Sequence, residues 1–204
     1  SNCRNLTDSA LLKIPQPVIQ KLTSLTVSHC SFTERGLKLG VLPALTHLDI
    51  SSCDGLFGSR FAQHLVQYYP ALASLDCSNS PVLANDFITV LPKIQTLTAL
   101  SIRNCPVIDH HGFLNFSDPA NANPPPPLIK LDISSTLVNN EALLRICTTY
   151  TTLAELSFSL CHRIDDEGCA QLTKLTNLKS LHASYTAIRS EEHTSELQSQ
   201  SNLV

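Results

Sequence analysis

Cysteine and histidine are the residues of this sequence that could bind a metal or act as nucleophiles, and the chain contains eight of each. Zinc sites are usually built from C-x-x-C pairs or from cysteines and histidines at fixed short spacings. The sequence has no C-x-x-C pair. The adjacent pairs His110-His111 and Cys161-His162 are the best candidates, but neighbouring side chains generally diverge and we expect no carboxylate to complete the geometry. We therefore predict no metal site and no cofactor.

Motifs typical of enzymes are missing as well. There is no glycine-rich phosphate loop, no G-x-S-x-G nucleophile turn and no H-E-x-x-H zinc motif. The formal net charge of −3 argues against broad capture of nucleic acid, which needs a basic surface. No apolar run is long enough to cross a bilayer. We predict a protein that is not an enzyme and that binds neither nucleic acid nor membrane.

The leucines, by contrast, follow a strict pattern. An apolar residue, two variable residues, leucine, one variable residue, an apolar residue, two variable residues and then Cys, Ser or Thr recur along the chain. The pattern occurs at 22–30, 45–53, 72–80, 97–105, 128–136, 153–161 and 178–186. Successive copies start 23, 27, 25, 31, 25 and 25 residues apart. This spacing is the signature of a leucine-rich repeat, with cysteine at a position where asparagine is the other common choice.

The second half of the unit repeats too. An apolar residue followed by Thr, Asp or Asn opens a predicted helix, because these side chains cap the first N–H groups. These pairs are Leu6-Thr7, Phe32-Thr33, Ile108-Asp109, Val138-Asn139 and Ile164-Asp165. A small residue lies three positions after each cap: Ala10, Gly36, Gly112, Ala142 and Gly168. Residues 141–149 and 167–175 then have apolar residues at helical spacing.

These patterns predict an α/β right-handed solenoid. Within one unit Leu22, Leu25 and Val27 point the same way, and one repeat alone cannot bury them. Strands about 4.8 Å apart in a parallel sheet bury these rows against the helices behind. We expect the sheet on the concave face of a horseshoe-shaped arc and the helices on its convex face.

The repeat explains most of the cysteines. Four occupy the ninth position, namely Cys30, Cys53, Cys105 and Cys161, and Cys3 fits the same position in a truncated leading repeat. We expect these small side chains to meet backbone of the next repeat. Cys77 falls on an inward strand position, and Cys147 and Cys169 fall on apolar helix positions. Buried thiols outside disulfides favour a reducing compartment, the cytoplasm or the nucleus.

Two segments depart from the repeat. Residues 117–127 (SDPANANPPPP) lengthen one interval, and four consecutive prolines fit neither a helix nor a central strand. We expect an extended loop on the rim or convex side, either a tolerated insertion or a proline-rich ligand for aromatic grooves. Residues 189–199 (RSEEHTSELQS) resemble the translation of a common sequencing-library adapter. We interpret 189–204 as a non-native, disordered tail; a native tail would be a polar, disordered end.

The predicted organisation is therefore a repeat array over residues 1–188, with about seven repeats and a partial leading one. The sequence starts at Ser1 and contains no methionine. We interpret its N terminus as a cut end.

The working surface should be the concave face, because side chains alternate across a strand and the residues between the buried positions point outward. The middle column contains Asp49, Asp76 and Asp132, an acidic stripe that either selects a basic partner segment or only keeps the strands soluble. The predicted partner-binding residues are His47, Asp49, Asp76, Arg103, Lys130, Asp132, Glu155 and His182.

The 25-residue period, the ninth-position cysteines and the I-D-x-x-G turns at 108–112 and 164–168 resemble the repeats of F-box/leucine-rich-repeat proteins, over about residues 1–188. The resemblance implies recognition of a protein substrate for an SCF-type ubiquitin ligase, hence for ubiquitin-dependent degradation, with Skp1 and cullin recruited through a missing F-box. Similar repeats occur in scaffold and signalling proteins without an F-box, so a general interaction scaffold is the alternative. The matching residues are structural and imply a fold but no site.

Overall fold

The computed structural model describes residues 7–33, 35–37, 39–53, 55, 58–114 and 124–187, with backbone alone at 58 and 59. The strands are β1 (Ser24–Thr26), β2 (His47–Asp49), β3 (Ser74–Asp76), β4 (Ala99–Ser101), β5 (Lys130–Asp132), β6 (Glu155–Ser157) and β7 (Ser180–His182). The helices are α1 (Asp8–Leu12), α2 (Gln16–Ile19), α3 (Gly58–Tyr68), α4 (Asn85–Val90), α5 (His110–Leu114), α6 (Asn140–Thr149) and α7 (Asp166–Cys169). Two 3-10 turns continue α4 and α7 at Leu91–Lys93 and Ala170–Lys174.

The seven strands form one parallel sheet in chain order. Each strand consists of residues three to five of its nine-residue pattern, and the leucines lie opposite one another, as in the pairs Leu48↔Leu75 and Leu75↔Leu100. The prediction that 45–53, 72–80 and 97–105 lie side by side in one direction is confirmed. Helices α3 to α7 pack against one another in the same order and form a second layer.

The core is the continuous layer between the sheet and the helices. The strand leucines of the inner repeats are almost completely buried; Leu100, for example, exposes 3% of its surface. The equivalent Leu181 in β7 is 43% exposed because no further described strand covers it. Burying one leucine contributes roughly 1.5–3 kcal/mol, so each strand stabilises the one before it.

The helix layer is less regular than the sequence predicts. Asn139 and Asp165 cap α6 and α7 as expected, each accepting backbone N–H groups from the first turn. Thr33, however, is followed by a turn at 35–37 instead of a helix in the described residues. Its repeat occupies the shortest interval, 23 residues, which leaves little room for one. The predicted helix at 167–175 is confirmed only to Cys169 and then tightens into a 3-10 turn. None of the described helices is long and apolar enough to cross a membrane.

Three of the ninth-position thiols donate to backbone of the preceding repeat, not of the next one, so the predicted direction is wrong; Cys30 donates to Ser28 of its own repeat. Cys53 donates to the carbonyl of Val27 at 3.2 Å, Cys105 to that of Cys77 at 3.4 Å, and Cys161 to that of Ile133 at 3.3 Å. Each acceptor is the sixth residue of the repeat before. The thiol thus satisfies a carbonyl at the buried end of the neighbouring strand.

The eighth position adopts a left-handed backbone in every described repeat. The residues are His29, Ser52, Asn79, Asn104, Ser135, Leu160 and Tyr185, with φ between 54° and 62°. This turn lets the N–H of residue eight reach the seventh carbonyl of the next repeat, as in Asn79 to Arg103 and Leu160 to Ser184, both at 2.8 Å. The parallel hydrogen bonding therefore continues beyond the three strand residues.

Consecutive repeats are also joined at the helix starts. The residue directly after the cap, which we call the junction residue, reaches the cap of the next repeat. Asn140 Oδ1 accepts the N–H of Asp165 at 3.1 Å while its Nδ2 donates to the Asp165 carboxylate at 2.7 Å. Asn85 makes the same two bonds to Asp109, and Asp8 accepts the N–H and hydroxyl of Thr33. These junctions fix the spacing of the helix layer.

Several sequence predictions concern residues outside those described. They are Cys3, most of the loop at 117–127 and the tail at 189–204. Within the loop, residues 124–127 are described, and they form neither helix nor strand. The side chain of Gln95 donates to the carbonyl of Pro124 at 2.7 Å, so this end of the loop packs against the turn after α4.

Candidate functional site

A depression of about 530 Å3 lies on the concave face and extends from β3 to β7. Its floor is made by strand residues of the five central and C-terminal repeats, and its edge by residues seven and eight of three of them. Six of the eight predicted partner-binding residues line it: Asp76, Arg103, Lys130, Asp132, Glu155 and His182. The alternation of side chains along the strands brings them to one face, as the sequence pattern predicts.

The other two predicted residues lie outside the depression. His47 and Asp49 are on β2, one strand beyond β3 in the sheet. Asp49 pairs in register with Asp76, so it extends the same column without contributing to the depression. The imidazole of His47 bonds the hydroxyl of Thr46 at 2.8 Å.

The charges of the depression are unequally available. Lys130 Nζ lies 2.7 Å from Glu155 Oε1 on the adjacent strand, so these two charges largely cancel. Both side chains are about half exposed, and such surface pairs contribute little stability. Arg103 is exposed and makes no ion pair with any described residue. It is the cation of the depression that can bind an incoming carboxylate.

The three aspartates of the middle column each support the backbone that follows. Asp76 Oδ1 accepts the N–H of Ser78 at 2.8 Å, and Asp49 and Asp132 do the same for Ser51 and Ser134. This is a local side-chain to backbone bond of the kind that Asp favours at turns. The aspartate that follows the strand leucine therefore has a structural role in these repeats. These bonds all end on Oδ1.

Leu160 and Tyr185 are surface residues that the repeat pattern does not predict. Leu160 lines the depression and is 39% exposed, and Tyr185 is 79% exposed. Both adopt a left-handed backbone, with φ of 62° and 57°, which bulky residues rarely do. The sequence does contain a signal for this backbone. The equivalent position is Asn79 or Asn104 in other repeats, and asparagine tolerates a left-handed backbone better than leucine or tyrosine does.

The cysteines are poorly suited to nucleophilic chemistry. The seven that the structure describes form no disulfide with one another, and all except half-buried Cys169 are buried. Burial raises the pKa of Cys105 and of Cys147 to about 11. Because the thiolate is the reactive form, these thiols are unreactive near neutral pH.

One cluster of potential metal ligands is present in the described part of the chain. Asp109, His110 and His111 each offer one ligand atom within 4.8 Å of the other two. The expectation that no carboxylate accompanies the two histidines is wrong. Asp109 caps α5, so its side chain turns back towards the helix start and accepts the N–H of His111 at 2.9 Å.

Comparison with known proteins agrees with this architecture. The family model described as "Leucine Rich repeat" matches residues 151–172. A search of curated proteins finds no match. Among 77 matching solved chains is internalin C2 from Listeria monocytogenes, with 17% identity and a TM-score of 0.62 over 96% of this chain and 74% of that one. The fold is a leucine-rich-repeat solenoid, and such domains are generally protein-interaction modules.

Proposed function

We propose that the concave depression binds an extended segment of a partner protein. The observation that supports this most strongly is that exposed Leu160 and unpaired Arg103 lie in one depression with serine hydroxyls between them. Protein-binding surfaces typically combine an apolar anchor, an arginine and a polar rim. The sheet spans roughly 30 Å across its strands, which suits a segment of several residues.

The chemistry of the depression defines the partner segment. A carboxylate of the partner binds Arg103, because this guanidinium has no ion-pair partner among the described residues. An apolar side chain covers Leu160. Basic side chains of the partner bind the Oδ2 atoms of Asp76 and Asp132, whose Oδ1 atoms already accept backbone N–H groups. The segment therefore has charges of both signs beside an apolar residue.

At a finer level we propose that this module recognises substrates for an SCF-type ubiquitin ligase. The resemblance of the cysteine-containing repeats to F-box/leucine-rich-repeat proteins supports this proposal. In that arrangement Skp1 and cullin bind through an F-box outside this sequence, in the cytoplasm or the nucleus. A scaffold without an F-box is the alternative.

Two measurements test these proposals. Co-purification of Skp1 with the full-length protein is expected for the ligase proposal, and its absence would favour the scaffold.

For the surface, Arg103→Glu should abolish co-purification of partners that the wild-type chain retains, while Arg145→Glu should not. Both are the same charge reversal at an exposed arginine, but Arg145 lies on α6 in the helix layer. If both variants lost the partners equally, or if both retained them, binding in the depression would be contradicted.

A further inference from the structure

We propose that Asp109, His110 and His111 form a binding site for one divalent transition-metal ion of the zinc, nickel or copper type. The site lies at the start of α5 in the helix layer and is separate from the concave depression. Two imidazoles and a carboxylate are the donor set that borderline divalent metals prefer. Three protein ligands leave further coordination positions for water or for a group of a partner.

The ligand geometry requires only small movements. Four-coordinate zinc has bonds of about 2.0–2.2 Å to nitrogen and oxygen, so its ligands lie about 3.3 Å apart. In the protein the three ligand atoms lie within 4.8 Å of one another, and rotation of the side chains can close this gap. His111 is exposed, and Asp109 and His110 are half-buried, so an ion can enter from solvent. The two imidazole rings already lie close together, with centroids 3.9 Å apart and their planes tilted by 36°.

His110 differs from the other junction residues. Asp8, Asn85 and Asn140 occupy the same position in α1, α4 and α6, and each bonds the cap of the following repeat. The Nδ1 atom of His110 is buried and has no hydrogen-bond partner among the described residues. A buried polar atom without a partner loses the free energy of hydration. Coordination of a metal by the cluster would compensate for this loss.

The carboxylate is prepared for a cation. The Asn85 side chain donates to the Asp109 carboxylate at 2.7 Å and the backbone N–H of His111 does so at 2.9 Å, so the carboxylate is held beside the two imidazoles. Both hydrogen bonds end on Oδ1, and we assign Oδ2 to the metal. Asn85 is therefore a positioning residue, since it orients a ligand without touching the ion.

The test is a titration of the full chain, kept reduced, with Zn2+ by calorimetry and with Co2+ by absorbance. We expect one ion per chain and a cobalt spectrum without the charge-transfer band of thiolate ligands. His110→Gln and His111→Gln should each weaken binding about tenfold or more, because loss of even a residue that only orients a ligand typically has an effect of that size. His162→Gln, at an exposed histidine beside Cys161, should leave it unchanged.

A second pair of variants separates metal binding from repeat stability. Asn85→Ala and Asn140→Ala each remove the same type of junction, so both should destabilise the fold similarly. Only Asn85→Ala should weaken metal binding, because Asn140 orients Asp165 in a junction without histidine.

The proposal is overturned by a thiolate band at the stoichiometric point, or by equal affinity in wild type and His111→Gln. Because His111 is exposed, its replacement should keep the fold intact even if His110→Gln does not.

Discussion

Asn140 and Gly168 lie in consecutive repeats, and the amide oxygen of Asn140 occupies the space that a β-carbon at residue 168 would need. The same relationship joins Asn85 to Gly112, where a β-carbon would lie 2.8 Å from the amide oxygen, and Asp8 to Gly36. The glycines are therefore required by the junction residue of the preceding repeat. Ala142, in contrast, follows the repeat whose junction residue is His110, where no such amide bridge is formed.

Gly168→Ala should therefore destabilise the protein by about 1–3 kcal/mol, the usual range for overpacking. Asn140 cannot easily move aside, because its amide makes two hydrogen bonds to Asp165. Urea unfolding measures the change. Adding Asn140→Ala to Gly168→Ala should recover part of the lost stability, because the amide oxygen that collides with the new β-carbon is removed. Additive losses in the double variant would show that the two residues do not interact.

Leu100→Ala should lower the free energy of unfolding by about 2–5 kcal/mol, because it leaves a cavity in a closely packed central repeat. Leu181→Ala is the matched control, since Leu181 occupies the same position in β7 but is 43% exposed, against 3% for Leu100. The decrease in the free energy of unfolding should be clearly smaller for Leu181→Ala than for Leu100→Ala. Equal losses for the two variants in the same denaturation experiment would argue against the burial that the repeat register assigns.

Stability should decrease as the pH rises from about 9 to about 11. In the unfolded chain a cysteine ionises near the ordinary thiol pKa of 9.0, whereas burial raises the pKa of Cys105 and Cys147 to about 11. The contribution of these two thiols to the free energy of unfolding is complete below pH 9. It is lost as the pH rises through their pKa in the folded protein. Thermal melting of Cys105→Ser, which places at this position the residue found at Ser80, should show a shallower decrease. If the melting temperatures of the variant and the wild type depended on pH in the same way, a raised pKa of Cys105 would be contradicted.

Leu160→Asn should have opposite effects on stability and on partner binding. Its backbone is left-handed, a conformation that costs bulky residues roughly 1–2 kcal/mol and that asparagine tolerates better. The variant should therefore melt at a higher temperature than wild type while retaining less partner.

Leu144→Asn is the control for that variant, because Leu144 has the same exposure of 39% but lies in α6, with an ordinary helical backbone. It should be destabilised and should bind normally. Unchanged partner binding by Leu160→Asn would remove this residue from the proposed surface.

The sheet could be predicted from the sequence because its information is local and repeated. The spacing of Leu48, Leu75 and Leu100 specifies both which face is buried and which strands are neighbours. The direction of the Cys53 hydrogen bond could not be predicted, since it depends on how the strand ends turn between repeats. The left-handed backbone of Leu160 was missed for a related reason, because leucine rarely adopts it and only the asparagines at equivalent positions indicate it.

The candidate site was predictable to a similar extent. Alternation along the strands identifies the concave residues, and six of the eight proposed ones line the depression. Their hydrogen-bonding state was not predictable, because the bond from Ser78 N–H to Asp76 depends on the turn after the strand. The Asp109–His110–His111 cluster was missed because side chains of adjacent residues diverge in regular structure but converge where a cap residue turns back.

The central claim is that neighbouring repeats stack as parallel strands in one register, and the pair Lys130–Glu155 tests it most directly. A zero-length carbodiimide reagent joins an amine to a carboxylate only at contact distance, and these two groups lie 2.7 Å apart on β5 and β6. Mass spectrometry of the digested, cross-linked protein should find Lys130 joined to Glu155, and Glu155→Gln should remove this product. Cross-links of Glu155 to other lysines, with none to Lys130, would contradict the register and the concave surface built on it.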